Sequence, residues 1–189
     1  GQVVRLVSIA KALREQDLCP AGRVGFVMPL HFFGLPLLGE EFLSRLDLSQ
    51  VTYSFLVMTC GWHYMSDAFH AARRLFAAQG GKLSAAFYVD MVSVYLPLGD
   101  IPPEAKKNHR LQKAAVRIEK VAEAIMHEQS SYDREYLNVV SGLIHSYVRK
   151  HRQELDQDFR AGESCNQCGL CAKICPVANI HLGETGPVW

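Results

Sequence analysis

The sequence predicts an α/β fold built on a parallel sheet, with a separate metal-binding segment beginning near Ser164. Three observations carry this expectation. Strand-length apolar runs alternate with segments of helical spacing, which is the pattern of βαβ units. The runs are apolar almost continuously rather than at every second residue, as strands covered on both faces require. Four of the six cysteines fall between positions 165 and 175, a crowding that metal ligation explains and packing does not.

Val3–Ile9 is mostly apolar and β-branched and is predicted as the first strand, with Ala10–Gln16 a short helix after it. Pro20-Ala-Gly22 punctuates the chain. Arg23–Met28 is a buried-strand pattern closed by Pro29, and the loop Leu30–Pro36 follows. Leu37–Leu46 is helical, because Leu38, Phe42 and Leu46 recur four apart on one face. Tyr53–Met58 is a second strand ending in Thr59-Cys-Gly-Trp-His-Tyr64. Ser66 can cap the next helix, whose apolar side is Ala68, Ala72, Leu75 and Phe76 and whose stop is Gly80-Gly81. Leu83–Val89 is the third strand of this series, with Met91–Leu96 extending it or forming a loop. After the breaker-rich Pro97–Pro103 comes a long helix with Leu111, Ala115, Ile118, Ala122 and Ile125 as its apolar stripe. A further helix is expected from about Arg134 to Gln157, with Leu137, Val140, Ile144, Tyr147 and Val148 on its apolar side and a polar, solvated tail.

A length of 189 residues suits one domain plus an appendage. The expected division is an α/β domain over 1–127, a helical connection over 128–163 and an iron–sulfur segment over 164–189. The net charge of +1 gives no field that would favour nucleic acid or an anionic membrane. No apolar run reaches membrane-spanning length, so no membrane insertion is expected. Cys19 and Cys60 are scattered and the other cysteines are clustered, which is not a disulfide framework; a reducing, cytoplasmic setting is expected.

Cys165, Cys168, Cys171 and Cys175-Pro176 form the C-x2-C-x2-C-x3-C-P run of bacterial iron–sulfur ligation. Two-and-two spacing wraps a tight turn, so three thiolates can face three corners of a [4Fe–4S] cubane, and Gly169 lets the backbone pass close to the metal. Zinc is the rival, but zinc sites favour two C-x2-C pairs separated by a longer loop. In two-cluster proteins the fourth cysteine of such a run ligates the other cluster. A second run is absent. The segment is therefore half of a two-cluster module, or a divergent single-cluster site that uses Cys175 itself.

Ligands of open parallel sheets bind beyond the carboxyl ends of the strands. Two loops lie there, one with Pro29, His31, Phe32, Phe33 and Gly34, the other with Thr59, Cys60, Gly61 and Trp62. Flexible backbone beside aromatic surface is what a flavin ring needs, with aromatic faces to sandwich it and backbone groups to bond its edge. The bland alternative is packing and turn chemistry, with His31 and His63 as loop histidines and Cys60 as a small buried residue.

Val24–Pro36, Met58–Gly61, the cysteine run with Val177–Ile180, and Gly186–Trp189 together resemble the flavodoxin–ferredoxin fusion family, the ferrodoxins. The resemblance covers nearly the whole chain. It implies a flavodoxin-like domain binding FMN through the two loops just named, followed by a domain with two [4Fe–4S] clusters. It also implies exchange of electrons with redox partner proteins, by an electron carrier or a small flavin and iron–sulfur oxidoreductase. Met91-Val-Ser-Val-Tyr95 stands where the family often has Met-Pro-Asp-Asn-Tyr. No Gly/Ser/Thr-rich phosphate turn precedes Val24, and Val3–Ile9 is similar to the family's second strand. The first strand and the phosphate loop are thus expected to be missing, FMN binding weak or absent, and both ends of the family pattern cut off. The alternative is a non-redox binding or scaffold protein with a flavodoxin-like fold and a cysteine knuckle stabilised by zinc or iron.

Overall fold

The computed structural model describes residues 4–16, 18–63, 66–93, 100–135, 139–151, 160–175 and 177–188, without the side chains of 139–141. Tyr64, Val94–Leu96, Leu137, the Val140 side chain and most of the polar tail lie outside the described residues.

The elements run α1 (Ile9–Glu15), β1 (Gly22–Pro29), α2 (Leu37–Arg45), β2 (Val51–Cys60), α3 (Ala68–Ala78), β3 (Ala85–Asp90), α4 (Glu104–Met126), α5 (Val139–Lys150), α6 (Leu170–Ile174), β4 (His181–Gly183) and β5 (Gly186–Val188). β1, β2 and β3 form one sheet in that order, and both pairings are parallel. The architecture is a mixed α/β one, a three-stranded parallel sheet flanked by helices.

The near-continuous apolar strands are explained by two cores. Phe26, Met28, Leu56 and Met58 face α2 and α3, where Phe42, Leu43, Phe69 and Phe76 are buried. Phe26 meets Phe42 and Phe76 edge-on, at 6.2 and 5.4 Å between ring centroids. Tyr53, Val57, Phe87 and Val89 face the opposite side, against Ala114 and Val121 of α4. Among the described residues β1 lacks such cover on one face, and Val27 there is exposed.

Two expectations are corrected. Residues 4–8 form no strand: Val4 and Leu6 are exposed and the first regular element is α1. The Ser8 hydroxyl accepts the N–H of Lys11 at 3.2 Å. This cap draws Ile9 out of the apolar run and into the helix. The long helix forms, but the stripe Leu111, Ala115, Ile118, Ala122 lies on its exposed side. Its inner face is instead Ala114, Arg117, Val121, Ala124 and Ile125. Arg117 explains the rotation. Its guanidinium donates to the Tyr88 carbonyl at 3.2 Å and grips Asp133 at 2.7 and 2.5 Å. Ala114 and Val121 are small enough to let the helix approach while that side chain reaches its acceptors.

Beyond α4 the chain returns to the sheet. The Ala86 N–H donates to Ser131 and the Asp133 N–H donates to Ala86, both at 2.9 Å. α5 lies over the loop that follows β1. There the His145 ring fills the space a Cβ would need at Gly34, and Glu40 of α2 binds His145 at 3.2 Å and Arg149 at 2.9 Å. Among the described residues no helix is long and apolar enough to cross a membrane.

Candidate functional site

Parallel pairing of β1 with β2 brings the two predicted loops side by side at the carboxyl ends of the strands. The Leu30 N–H donates to the Thr59 carbonyl at 2.8 Å, and the Asp67 N–H donates to the Phe33 carbonyl at 3.1 Å. Pro29, His31, Phe32, Phe33 and Gly34 therefore stand beside Thr59, Cys60, Gly61 and Trp62. Phe32 and Phe33 both have positive φ, 43° and 68°, as the two central residues of a type I′ turn closed by the backbone pair His31–Gly34 must.

The fit to a flavin ring fails at the slot between the loops. Phe33 and Trp62 touch each other edge-to-face, with centroids 5.9 Å apart and planes 76° apart. A ring sandwiched between two aromatic faces needs them parallel and about 7 Å apart, twice the carbon contact distance. Gly34 is covered by His145 and Gly61 by Ser93. The loops converge as expected, and their own side chains fill the space between them.

The same strand ends assemble a group that the sequence does not announce. Cys60 and Asp90 are register partners across β2 and β3. The turn after Cys60 returns His63 to the same point. The Cys60 thiol donates to Asp90 Oδ1 at 3.4 Å, His63 Nδ1 lies 2.8 Å from that oxygen, and Cys60 Sγ lies 3.8 Å from His63 Nδ1. The imidazole stacks on Tyr88, 4.7 Å between centroids, and Tyr88 stacks on Phe69 at 4.1 Å. Burial first, then the Asp90 carboxylate, push the Cys60 thiol up to about 12. It is a protonated donor, not a thiolate nucleophile. Nor is the trio a proton relay, because Cys60 and Asp90 meet the same imidazole nitrogen.

Behind it, the Tyr88 hydroxyl donates to Glu135 at 3.0 Å and pairs with the Ser66 hydroxyl at 2.7 Å, where Ser66 can be the donor. Glu135 also accepts the N–H groups of Phe69 at 2.6 Å and His70 at 3.0 Å, so it closes the open first turn of α3. Burial raises Glu135 above the usual carboxylate range, against those N–H bonds. Sequence reading placed Cys60 in a loop and His63 beside it. Asp90 escaped notice because only strand pairing brings it there; the C-x2-H spacing was the available signal.

The cysteine segment is built differently. Cys165, Cys168, Cys171 and Cys175 are all free thiols. The Cys165 N–H donates to the Gly162 carbonyl at 2.9 Å and the Cys168 N–H donates to Asn166 Oδ1 at 3.2 Å, which folds the first turn. Gly169, at φ 72°, then starts α6. Cys175 follows α6. The Asn179 N–H donates to its sulfur at 3.3 Å, and with the N–H of Val177, then those of Ile180 and Ala178, it holds this thiol below its ordinary value. A concave set of backbone N–H groups is a place for an anionic sulfur. Among the described residues one trio of Cys, His, Asp or Glu donor atoms lies within 4.8 Å of one another, and it is Cys60, His63 and Asp90. No three of the four clustered thiols are gathered so closely. Sulfurs around a single zinc would sit about 3.8 Å apart, from Zn–S bonds near 2.3 Å. The four cysteines are thus not drawn to the corners of one zinc tetrahedron in this structure.

Comparison with family models, with curated proteins and with solved structures finds no match to this chain.

Proposed function

We propose that the chain is an iron–sulfur electron-transfer protein, with Cys165, Cys168 and Cys171 as ligands of one [4Fe–4S] cluster and Cys175 either completing it or serving a second. The observation that carries this reading is a contrast within the segment. Four free thiols stand at ferredoxin spacing, while α6 buries nothing and Leu170, Ile174, Val177 and Leu182 are all exposed. A stretch this short without a core of its own is the kind that a metal group nucleates.

A bound cluster would supply one-electron exchange with partner redox proteins. The chain's own part is to hold three thiolates on one turn, to bring backbone close through Gly169, and to offset charge on Cys175 with the N–H groups that follow it. The flavodoxin-like expectation for residues 1–127 is supported by the adjacent, parallel β1 and β2 and by the two loops at their ends. FMN enters no step of this proposal, since Phe33 and Trp62 meet edge-to-face and offer no parallel pair of aromatic faces to a ring. That closed slot also favours a second reading, a binding or scaffold protein whose cysteines hold a structural metal.

Anaerobic purification separates the two readings. The iron–sulfur reading expects a brown protein whose broad absorption bleaches on reduction, and a structural zinc leaves it colourless. Replacing Cys168→Ser should abolish bound iron and acid-labile sulfide. Cys175→Ser should change them little if that residue serves another cluster. Complete loss in both variants would mean one self-contained four-cysteine site. Retention of iron and sulfide in Cys168→Ser would remove the cluster from this segment.

A further inference from the structure

We propose that Cys60, His63 and Asp90 form a mononuclear site for a borderline divalent cation of the zinc kind, separate from the cysteine cluster, with a coordination position left open to solvent.

The donor set is the first argument. A thiol, an imidazole and a carboxylate converge from one turn and one neighbouring strand end. This mixture of sulfur, nitrogen and oxygen is characteristic of zinc rather than of calcium or magnesium. Geometry is the second. A tetrahedral zinc with bonds of about 2.0–2.3 Å holds its ligand atoms about 3.4–3.6 Å apart. The three separations here are 3.8, 3.4 and 2.8 Å. Two already lie within a few tenths of an ångström of that triangle. The third is a hydrogen bond, which opens when the metal replaces the shared hydrogen. On binding, the thiol proton now directed at Asp90 passes to solvent, and the imidazole ligates through Nδ1 in its Nε2–H tautomer.

Access and support are the third argument. Cys60 is buried, the His63 side chain is largely covered, and the Asp90 side chain is 58% exposed, so the trio has a closed floor and an open mouth. The floor is rigid. Strand register fixes Cys60 against Asp90, and Tyr88 holds the imidazole plane from beneath. Three protein ligands and an exposed fourth position are the arrangement of zinc sites that bind water or a small anion. The competing account is a hydrogen-bonded trio that needs no cation.

Cobalt(II) is the probe. The full chain carrying Cys165→Ser, Cys168→Ser, Cys171→Ser and Cys175→Ser keeps Cys60 and Cys19 as its cysteines, so this test is independent of the iron–sulfur reading. Anaerobic titration should show one equivalent bound, with a thiolate-to-cobalt charge-transfer band that one equivalent of zinc(II) removes. Cys60→Ser should abolish the band, and His63→Gln and Asp90→Asn should each weaken binding at least about tenfold. If the fourfold variant does not fold, zinc analysis of the intact, cluster-loaded chain serves instead: one zinc per chain beyond the iron, lost in His63→Gln. Absence of the band in the folded fourfold variant, its persistence in Cys60→Ser, or zinc retained by His63→Gln would overturn the site.

Discussion

The α/β unit and the cysteine segment solve the problem of staying folded in opposite ways. Around β1–β3, Phe69, Phe76, Leu43, Leu56 and Met58 are almost wholly removed from water, and two apolar cores sandwich the sheet. Between Arg160 and Val188 the one buried residue among those described is Gly186. Burial of apolar side chains is enough to hold the first region, at about 1.5–3 kcal/mol for each large one. The second has no such reserve. Its order rests on short turns, on N–H groups around one sulfur and, in the reading proposed above, on metal–thiolate bonds.

That contrast is broken most forcefully from the core side. Phe76→Ala should cost about 3–5 kcal/mol, since the ring is fully buried between β1 and α3 and its loss leaves a cavity. Thermal or denaturant unfolding followed by far-UV circular dichroism reads this. Iron bound by the cysteine segment at low temperature should be unchanged in the same variant. If iron is lost in proportion to the unfolding of the sheet, the two regions are one cooperative unit and the comparison fails.

A smaller effect sharpens the comparison by testing polar support inside the packed unit. Glu135→Ala should cost about 2–3 kcal/mol, because it strands the first-turn N–H groups of α3 and removes an acceptor of the Tyr88 hydroxyl. Glu135→Gln should recover part of that cost, as its amide oxygen can still accept one N–H. Equal stability of the alanine variant and the parent would show that water replaces the carboxylate at the end of α3. It would also show that the floor beneath His63 does not depend on it.

The sequence was informative where the physics is local or periodic. Leu37–Arg45 and Ala68–Ala78 follow from helical spacing, β1 from an apolar run between Gly22 and Pro29, and β2 from one that ends at Gly61. The run Val3–Ile9 misled because a serine cap competes with strand propensity, and propensity alone cannot rank the two. The α4 stripe misled because periodicity counts apolar residues. It does not see that Arg117 would find a carbonyl and a carboxylate inside, displacing Leu111 and Ile118 to the surface. The loops after β1 and β2 were found by the rule that ligands sit at strand ends. That Phe33 and Trp62 would close on each other is a matter of side-chain packing, which no spacing encodes. Asp90 joins Cys60 through strand register across 30 positions, so the trio becomes visible only once the sheet is paired.

The smallest expected effect concerns the ion pairs that Glu40 of α2 makes with His145 and Arg149 of α5. The hydrogen bond to Glu40 raises His145 above its ordinary value; burial opposes this, and Glu40 and Asp67 add attraction. A histidine raised on folding contributes stability that is fully present below its unfolded value, near 6.5, and is lost as pH rises through its higher folded value. His31 titrates in the opposite sense. Partial burial and the charge of His145 lower it, so acidification below about 6.5 charges it at a cost to the folded state. His31 is exposed overall, so its penalty is the smaller of the two. Arg149 also binds Glu40, so that pair offsets part of the loss when His145 becomes neutral. The parent chain should therefore gain slightly in thermal midpoint as pH falls from about 8 toward 6. His145→Gln should remove that gain and leave the shallow opposite slope of His31, while His31→Asn should steepen it. An unchanged slope in His145→Gln would mean that the Glu40 pair does not anchor α5, and that apolar contacts hold this helix as they hold the sheet.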